Sequence, residues 1–286
     1  MIAESTITVT LNNGIRMPLV GLGTWDLRGY ECAETVRTAI GLGYRLIDTA
    51  LDYDNEEQLG LGIKDSGIAR EDLFITSKVW FRWSKPGDAR KMALDSLKKL
   101  GVDYLDMCMI HWPLNDYYTA YRDLEELYRE GKIRAIGVCN FTPDRLIDLL
   151  SFNEFKPQVN QIETHVRCQR WTEHEWFDRY DVTHQAYSPL GAGRIDDLME
   201  DPLLGELAQK YGKTRAQICL RFLLQRDICI LPRTNSEERL KENIDLFDFK
   251  LEEQDMEALK TLDRKEAVIG RPEDPAKVKR AIEVYR

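Results

Sequence analysis

The sequence predicts a (β/α)₈ barrel, a single domain over residues 1–286 that a β-hairpin closes at its N-terminal end. Short apolar runs recur along the chain, and several are nearly continuous rather than alternating, which is typical of strands covered on both faces. Amphipathic helical stretches separate these runs, and units of about 30 residues suit βα repeats. Eight such units fit a barrel of ~250 residues. No low-complexity or linker segment divides the chain.

The predicted strands follow one another in a simple order. The hairpin comes first, with residues 6–10 and 15–17 flanking the turn Asn12-Asn13-Gly14, because Asn-Gly between strand-like runs is a strong hairpin signal. The next eight apolar runs are predicted as the barrel strands: residues 19–22, 45–48, 73–77, 104–110, 134–138, 159–162, 182–187 and 228–231.

Start and stop signals mark the helices between the strands. One apolar stripe ends at Gly101, as expected of a glycine after the last helical turn. Thr142 and Asp201 each precede a proline, which is typical of an N-cap followed by the first helical residue. Thr214 and Gln217 have the spacing of a capping box. An open, doubly wound sheet is the alternative fold, but no Gly-x-Gly-x-x-Gly follows a strand.

Composition excludes several classes of function. The net charge of −9 disfavours nucleic acid as a partner, because phosphate neutralisation needs a basic face. No apolar stretch approaches ~20 residues, so no membrane span is expected, and the first residues do not form a secretory signal. The six cysteines lack a Cys-x-x-Cys pair and the four histidines lack zinc spacing. We therefore expect reduced thiols in a cytoplasmic protein without a metal. The oligomeric state stays open, with a monomer preferred.

Polar or aromatic residues stand at the ends of the predicted strands. In a barrel these ends meet on the C-terminal face, where active sites lie, so the residues should surround one pocket that takes a small molecule. They are Asp48, Lys78, His111, Asn140, Gln161, Tyr187 and Arg233.

Four side chains make a candidate proton-transfer set: Asp48, Tyr53, Lys78 and His111. A phenol with a pKa near 10 is a poor acid at neutral pH. An adjacent ammonium stabilises the phenolate, so Lys78 should lower the pKa of Tyr53, and Asp48 should hold Lys78 charged and in place. Each residue alone has an ordinary structural interpretation. Their positions on consecutive strand ends favour a catalytic one.

Three motifs make this chain resemble the aldo-keto reductases, most of all short bacterial members such as the diketogluconate reductase group. Residues 43–50 read GYRLIDTA and are followed by Tyr53, Asn55 and Glu56. Residues 137–141 read GVCNF, and residues 230–234 read ILPRT, with Arg239 shortly after. Shorter matches in the same order extend the resemblance over nearly the whole chain.

The resemblance implies NADPH-dependent reduction of an aldehyde or ketone. It assigns Tyr53 as the general acid, Lys78 and Asp48 as the residues that adjust the pKa of Tyr53, and His111 as the group that orients the carbonyl. The substrate pocket would be lined by Trp25, Tyr53, Trp80, His111 and Trp112. The implied NADP(H) contacts are Gly23, Thr24, Trp25, Asp48, Cys139, Asn140, Gln161, Tyr187, Ser188, Leu190, Gly191, Arg233, Thr234, Asn235, Ser236, Arg239, Glu242 and Asn243.

Within that set, the family roles differ along the cofactor. Asn140 and Gln161 would hold the nicotinamide carboxamide, Tyr187 would stack on the ring, and the residues after it would line the pyrophosphate. Cys139 stands where a serine is commoner, and a thiol is a weaker hydrogen-bond partner. Arg233 and Arg239 flank a helix start, and this is a site for the doubly charged 2′-phosphate of NADP.

Two other functions stay open at this point. One is a barrel aldolase that forms a Schiff base on Lys78. The other is a binding protein on the same fold that senses the cofactor without turning it over.

Overall fold

The hairpin at the start of the chain is the first element of the computed structural model, which describes residues 6–83, 85–195, 197–269 and 273–285. Strands β1 (Thr8–Thr10) and β2 (Arg16–Pro18) pair antiparallel. The turn between them needs a left-handed residue, and Gly14 supplies it with φ 83°. This confirms the predicted hairpin.

Eight parallel strands follow, each paired with the next in chain order. They are β3 (Leu22–Gly23), β4 (Leu46–Asp48), β5 (Phe74–Val79), β6 (Met107–Ile110), β7 (Ile136–Cys139), β8 (Val159–Glu163), β9 (Thr183–Tyr187) and β10 (Cys229–Leu231). A parallel bridge between Val20 and Ile230 joins the first strand region to the last. The N–H of Gly21 donates to the carbonyl of Ile230 over 2.9 Å. The sheet therefore closes into the predicted barrel, and the open doubly wound alternative is wrong.

Helices cover the outside of the barrel and connect its strands. They are α1 (Gly29–Gly41), α2 (Glu56–Ser66), α3 (Asp88–Leu100), α4 (Tyr117–Arg129), α5 (Pro143–Ser151), α6 (Trp171–Arg179), α7 (Pro202–Tyr211), α8 (Arg215–Leu224), α9 (Glu237–Ile244), α10 (Glu253–Lys260) and α11 (Pro275–Tyr285). The capping box of Thr214 and Gln217 forms as predicted, and Asp201 caps α7. Thr142 precedes α5 as predicted, but its side chain makes no capping hydrogen bond.

Seven of the eight predicted barrel strands begin one to three residues too early, and the two largest offsets are at 19–22, where the strand starts only at Leu22, and at 104–110. The apolar run at 104–110 joins the sheet as a strand only from Met107, because the side chain of Asp106 bonds to neighbouring elements. One Asp106 oxygen accepts the backbone N–H of Ile75 at 2.9 Å and the guanidinium of Arg70 at 2.7 Å. A buried carboxylate that satisfies both a strand amide and an arginine fixes the base of the barrel.

The hairpin seals the lower end of the barrel. Leu11 and Met17 are buried against side chains inside the barrel. This inner layer also contains Leu46, Phe74, Met107, Met109, Ala135, Val159, Cys229 and Leu231. A Cβ on Gly21 would lie 2.5 Å from Cγ of Leu46, so this position needs glycine. With apolar packing below, the polar strand ends remain for the opposite, C-terminal mouth.

Two further sequence expectations concern the whole chain. All six cysteines are buried free thiols, as expected. Among the helices of the described ranges, none is long and apolar enough to cross a membrane.

Candidate active site

The polar residues predicted at the strand ends all lie at the same mouth of the barrel, because the eight strands are parallel. Asp48 ends β4, and Lys78 is the penultimate residue of β5. His111 directly follows β6, and Asn140 directly follows β7. The mouth therefore collects an acid, an amine, an imidazole and an amide from four neighbouring strands.

Asp48 and Lys78 form a buried ion pair. Nζ of Lys78 donates to Oδ1 of Asp48 over 2.5 Å and to the backbone carbonyl of Thr49 over 3.0 Å. Burial alone lowers the pKa of Lys78, but the Asp48 carboxylate and the Tyr53 phenol outweigh it, so the pKa lies above its usual range. Lys78 is therefore a fixed cation. The second oxygen of Asp48 accepts Nε2 of Gln161 at 2.9 Å.

Tyr53 lies above this pair, in the short 3₁₀ turn Leu51–Tyr53 that follows β4. Its ring centroid is 5.2 Å from Nζ of Lys78 and 5.7 Å from the ring of His111. The four predicted catalytic side chains thus come together. Burial raises the pKa of Tyr53 to about 12, although Lys78 acts to lower it. The expected lowering of this pKa was wrong in its net direction, because loss of solvation exceeds the effect of one ammonium already neutralised by Asp48.

His111 is neutral. Burial and the nearby Lys78 cation hold its pKa well below 6.5. Within the described part of the chain, Nδ1 of His111 is buried without a hydrogen-bond partner. The ring of Trp80 packs edge-on at 4.8 Å between centroids. A neutral imidazole has one N–H to donate, and the His111 ring lies against the rings of Trp80 and Tyr53.

The amides predicted to hold the nicotinamide are linked to one another. Nδ2 of Asn140 donates to the carbonyl of His111 over 3.1 Å and lies 3.3 Å from the sulfur of Cys139. Oδ1 of Asn140 accepts the hydroxyl of Tyr187 at 2.7 Å. Sγ of Cys139 is 3.8 Å from Oε1 of Gln161. Oδ1 of Asn140 therefore has a second lone pair that can accept a hydrogen bond. The contact between the Cys139 thiol and Oε1 of Gln161 is long.

Past β9, the chain turns through unusual backbone conformations at the residues predicted to line the pyrophosphate. Ser188 and Gly191 both have positive φ, at 49° and 72°. Leu190 is partly buried against the main core. On the facing side, the hydroxyl of Thr24 is buried and donates to the carbonyl of Asp48 over 2.9 Å, while Gly23 ends β3.

The predicted phosphate site lies at the start of α9. Ser236 caps the helix by accepting the N–H of Arg239 at 3.3 Å, and the guanidinium of Arg239 is exposed. The guanidinium of Arg233 instead donates to the carbonyls of Trp25 and Asp26, at 3.1 and 2.9 Å. Arg233 therefore ties the cofactor side of the mouth to the loop that carries the 48% exposed Trp25.

The remaining predicted contacts near α9 have protein partners or are buried. Thr234 bonds the N–H of Ser236, and Asn235 donates to Glu31 at 2.8 Å. Glu242 accepts the hydroxyl of Thr214, the cap of α8. Asn243 is buried.

Trp112, which was predicted to line the substrate pocket rather than the phosphate site, is partly buried against the core.

Three residues in and around the mouth were not predicted from the sequence as site residues. Gln185 accepts Nε2 of Gln161 at 2.8 Å, and its position as a polar residue inside an apolar run was a usable signal. Arg194 lies with its guanidinium 5.9 Å from the ring centroid of Trp25. Glu163 bonds to a segment more than a hundred residues away, and nothing in the local sequence indicates that contact.

Known proteins resemble this chain over most of its length. Residues 19–264 match the model of the aldo/keto reductase family. The chain is 43% identical over 269 residues to glyoxal reductase of Bacillus subtilis, covering 93% of this chain and 96% of that protein.

Solved structures give the same result. An aldo-keto reductase from a deep-sea metagenome superposes with a TM-score of 0.91 and 38% identity, over 93% of this chain and 99% of that one. An aldo-keto reductase of Bombyx mori, solved in complex with NADP, superposes with a TM-score of 0.89 and 32% identity. That match covers 97% of this chain and 98% of the other.

Proposed function

Because this chain belongs to the aldo/keto reductase family, we propose that Tyr53, Lys78, Asp48 and His111 carry out its NADPH-dependent reduction of aldehydes and ketones. The chain is an oxidoreductase of carbonyl compounds that uses NADP(H). The preferred substrates are small aldehydes, since the relative from Bacillus subtilis is a glyoxal reductase. The observation that carries the proposal is the contact of a phenol, an ammonium, a carboxylate and a neutral imidazole at one barrel mouth.

The donors and acceptors at the mouth fit NADP(H). A doubly charged phosphate is matched by the exposed Arg239 at the capped start of α9, with Arg233 close in sequence. At the other end, Asn140 retains an acceptor for a carboxamide N–H, and Tyr187 offers a ring face beside it. Burial holds the pKa of Tyr187 well above 10, so its hydroxyl stays protonated and holds Asn140 in place.

Each side chain of the site has a separate role in the reduction of the carbonyl group. The bound cofactor supplies the hydride. His111 orients the carbonyl by donating its one N–H to the oxygen, and Tyr53 gives its proton to that oxygen as negative charge develops there. Lys78 stabilises the phenolate that Tyr53 becomes, and Asp48 keeps Lys78 in position through the 2.5 Å ion pair. Trp80 excludes water from one side of the imidazole.

The two alternative functions receive no support. A Schiff base requires a neutral amine, whereas Asp48 raises the pKa of Lys78 and holds it as a cation. A binding protein that only senses the cofactor would have no need of the complete proton-transfer set. The relatives named above are reductases.

A panel of aldehydes and ketones, followed by the loss of NADPH absorbance, tests the proposed function. We expect turnover of small aldehydes and, with the matching alcohols and NADP, the reverse reaction. Absence of turnover with every carbonyl tested would reject the proposal. Formation of a borohydride-trapped adduct on Lys78 without cofactor would favour the aldolase.

The two reaction directions should differ in their pH dependence. Because the pKa of Tyr53 is about 12, the phenol is protonated throughout the neutral range, and reduction should be flat from about pH 6 to about pH 9. Oxidation needs the phenolate, whose fraction rises about tenfold per pH unit below the pKa. His111 should add no inflection, because it stays neutral. Single-turnover rates in both directions give the test, and an inflection in reduction near neutral pH would contradict it.

Replacing Arg239 by alanine should raise the KM for NADPH at least tenfold and leave that for NADH within about twofold. A charge-assisted hydrogen bond contributes roughly 1.5–3 kcal/mol, and only NADPH has the phosphate to receive it. Lys241→Ala is the matched control, because it removes one cation from the same helix, where Lys241 pairs with Glu237. An equal effect of Arg239→Ala on both cofactors would remove this arginine from the phosphate site.

A further inference from the structure

Gln185, in the middle of β9, is a buried polar residue to which the reaction described above gives no role. It is fully buried and lies in register with Gln161 on β8. Oε1 of Gln185 accepts an N–H from Nε2 of Gln161 at 2.8 Å. Its own Nε2 lies 3.7 Å from the sulfur of Met17, which belongs to the hairpin. Gln185 therefore connects the floor of the barrel to a residue of the site.

The partners of Gln161 determine which way its amide faces. A carboxylate can only accept hydrogen bonds, and Oδ2 of Asp48 lies 2.9 Å from Nε2 of Gln161. Gln185 supplies a second acceptor for the same nitrogen. An amide nitrogen carries two N–H groups, so both are used inside the barrel. The reversed amide would place its oxygen against the Asp48 carboxylate, which is unfavourable.

The carbonyl end of Gln161 is the end that remains for a ligand. Its Oε1 lies 3.8 Å from the thiol of Cys139, the last residue of β7. A thiol is a weak donor and a carbonyl oxygen has two lone pairs, so Oε1 retains the capacity to accept a hydrogen bond. Oδ1 of Asn140, which accepts the hydroxyl of Tyr187, retains a lone pair as well. The neighbouring ends of β7 and β8 therefore provide two acceptor oxygens.

Two acceptor oxygens recognise a group that carries N–H bonds and disfavour a group that carries only oxygen atoms. A carboxamide has an NH₂ group, whereas a carboxylate has two oxygens whose lone pairs would face those of the site. The nicotinate form of NADP, nicotinic acid adenine dinucleotide phosphate, differs from NADP in this one group. The orientation of the Gln161 amide therefore bears directly on which form can bind.

We propose that Gln185 is a positioning residue that makes the cofactor site exclude the nicotinate form of NADP. The proposal rests on the function proposed above. Gln185 acts through Gln161, because it occupies an N–H that could otherwise donate to a carboxylate. Without Gln185, that N–H would be buried and unpaired, which is unfavourable, and turning it toward the polar mouth restores a partner. The site would then offer a donor, and its discrimination would be lost.

Gln185→Met tests this role, because methionine is close to glutamine in volume and has no amide. Quenching of tryptophan fluorescence gives the dissociation constants of NADP and of its nicotinate form without any turnover. We expect the wild type to bind NADP about 10²-fold more tightly than the nicotinate form. Gln185→Met should reduce this ratio about tenfold. Gln185→Glu still presents an acceptor oxygen to Gln161 and should preserve the ratio.

Gln158→Met is the matched control. Gln158 is buried at the N-terminal end of the barrel, where it accepts the N–H of Ile136 and donates to Asn12. The same substitution there should lower the thermal midpoint and leave the ratio unchanged, which separates stability from positioning. Gln185→Leu also lacks an acceptor and repeats the test if the methionine variant does not fold.

The outcomes distinguish the inference from the function on which it rests. A ratio within about twofold of wild type in the Gln185→Met or Gln185→Leu protein would overturn the inference. So would an equal loss of discrimination in Gln158→Met or in Gln185→Glu. Wild-type protein that binds NADP without preferring it to the nicotinate form refutes the inference alone, whereas wild-type protein that does not bind NADP refutes the proposed function.

Discussion

Replacing Tyr53 by phenylalanine should lower the rate of carbonyl reduction by about 10²- to 10⁴-fold, which is the usual contribution of a general acid. The ring remains, so its contacts with Lys78 and His111 persist. Only the proton donor is lost. The affinity for NADPH and the thermal midpoint should therefore stay close to those of the wild type.

Single-turnover reduction of a small aldehyde is the measurement, because it isolates the chemical step from product release. Tyr30→Phe is a suitable control, since the side chain of Tyr30 is 80% exposed on α1 and outside the mouth. A rate within about threefold of wild type in Tyr53→Phe would show that another group supplies the proton.

Lys78→Met should impair both activity and stability. The variant leaves Asp48 buried with its charge uncompensated, and breaking one partner of a buried pair costs about 3–5 kcal/mol. For a chain of this size that lowers the thermal midpoint by roughly 5–8 °C. Reduction should fall at least about 10²-fold, because Tyr53 loses the cation that stabilises its phenolate.

The double variant Lys78→Met with Asp48→Asn separates the two effects. Removing both charges leaves no uncompensated ion at this site, so most of the stability should return while the activity stays low. Thermal unfolding and single-turnover reduction of the three variants together decide the point. Recovery of activity in the double variant would show that Lys78 acts only by balancing Asp48.

The barrel itself could be predicted from the sequence with few errors. Asn12-Asn13-Gly14 predicted a hairpin, and the structure has one that seals the barrel floor with Leu11 and Met17. Such local signals succeed because turn geometry and strand burial depend on nearest neighbours. The start of β6 was wrong because the side chain of Asp106 bonds outside its own strand, which no periodicity reports.

The candidate site divides in the same way. Asp48, Lys78 and His111 were identified from their places at strand ends, and the structure brings them together with Tyr53. The proton affinity of Tyr53 was not predictable. One ammonium nearby suggested a lowered pKa, yet burial raises it to about 12. Desolvation depends on everything that surrounds a group, and only the packed barrel defines those surroundings.

The sequence by itself determined the order of strands and helices, the closed barrel with its hairpin floor, and the residue types at the mouth, because each follows from short-range periodicity and from the parallel direction of the strands. Only the tertiary structure decided the neutral state of His111, the pairing of Gln161 with Gln185, and the clamp that the Glu163 carboxylate forms on the backbone N–H groups of Val268 and Ile269. The clamp joins residues 105 positions apart. Contacts of that kind form between surfaces that meet after folding, so their geometry is a property of the assembled fold and not of any segment.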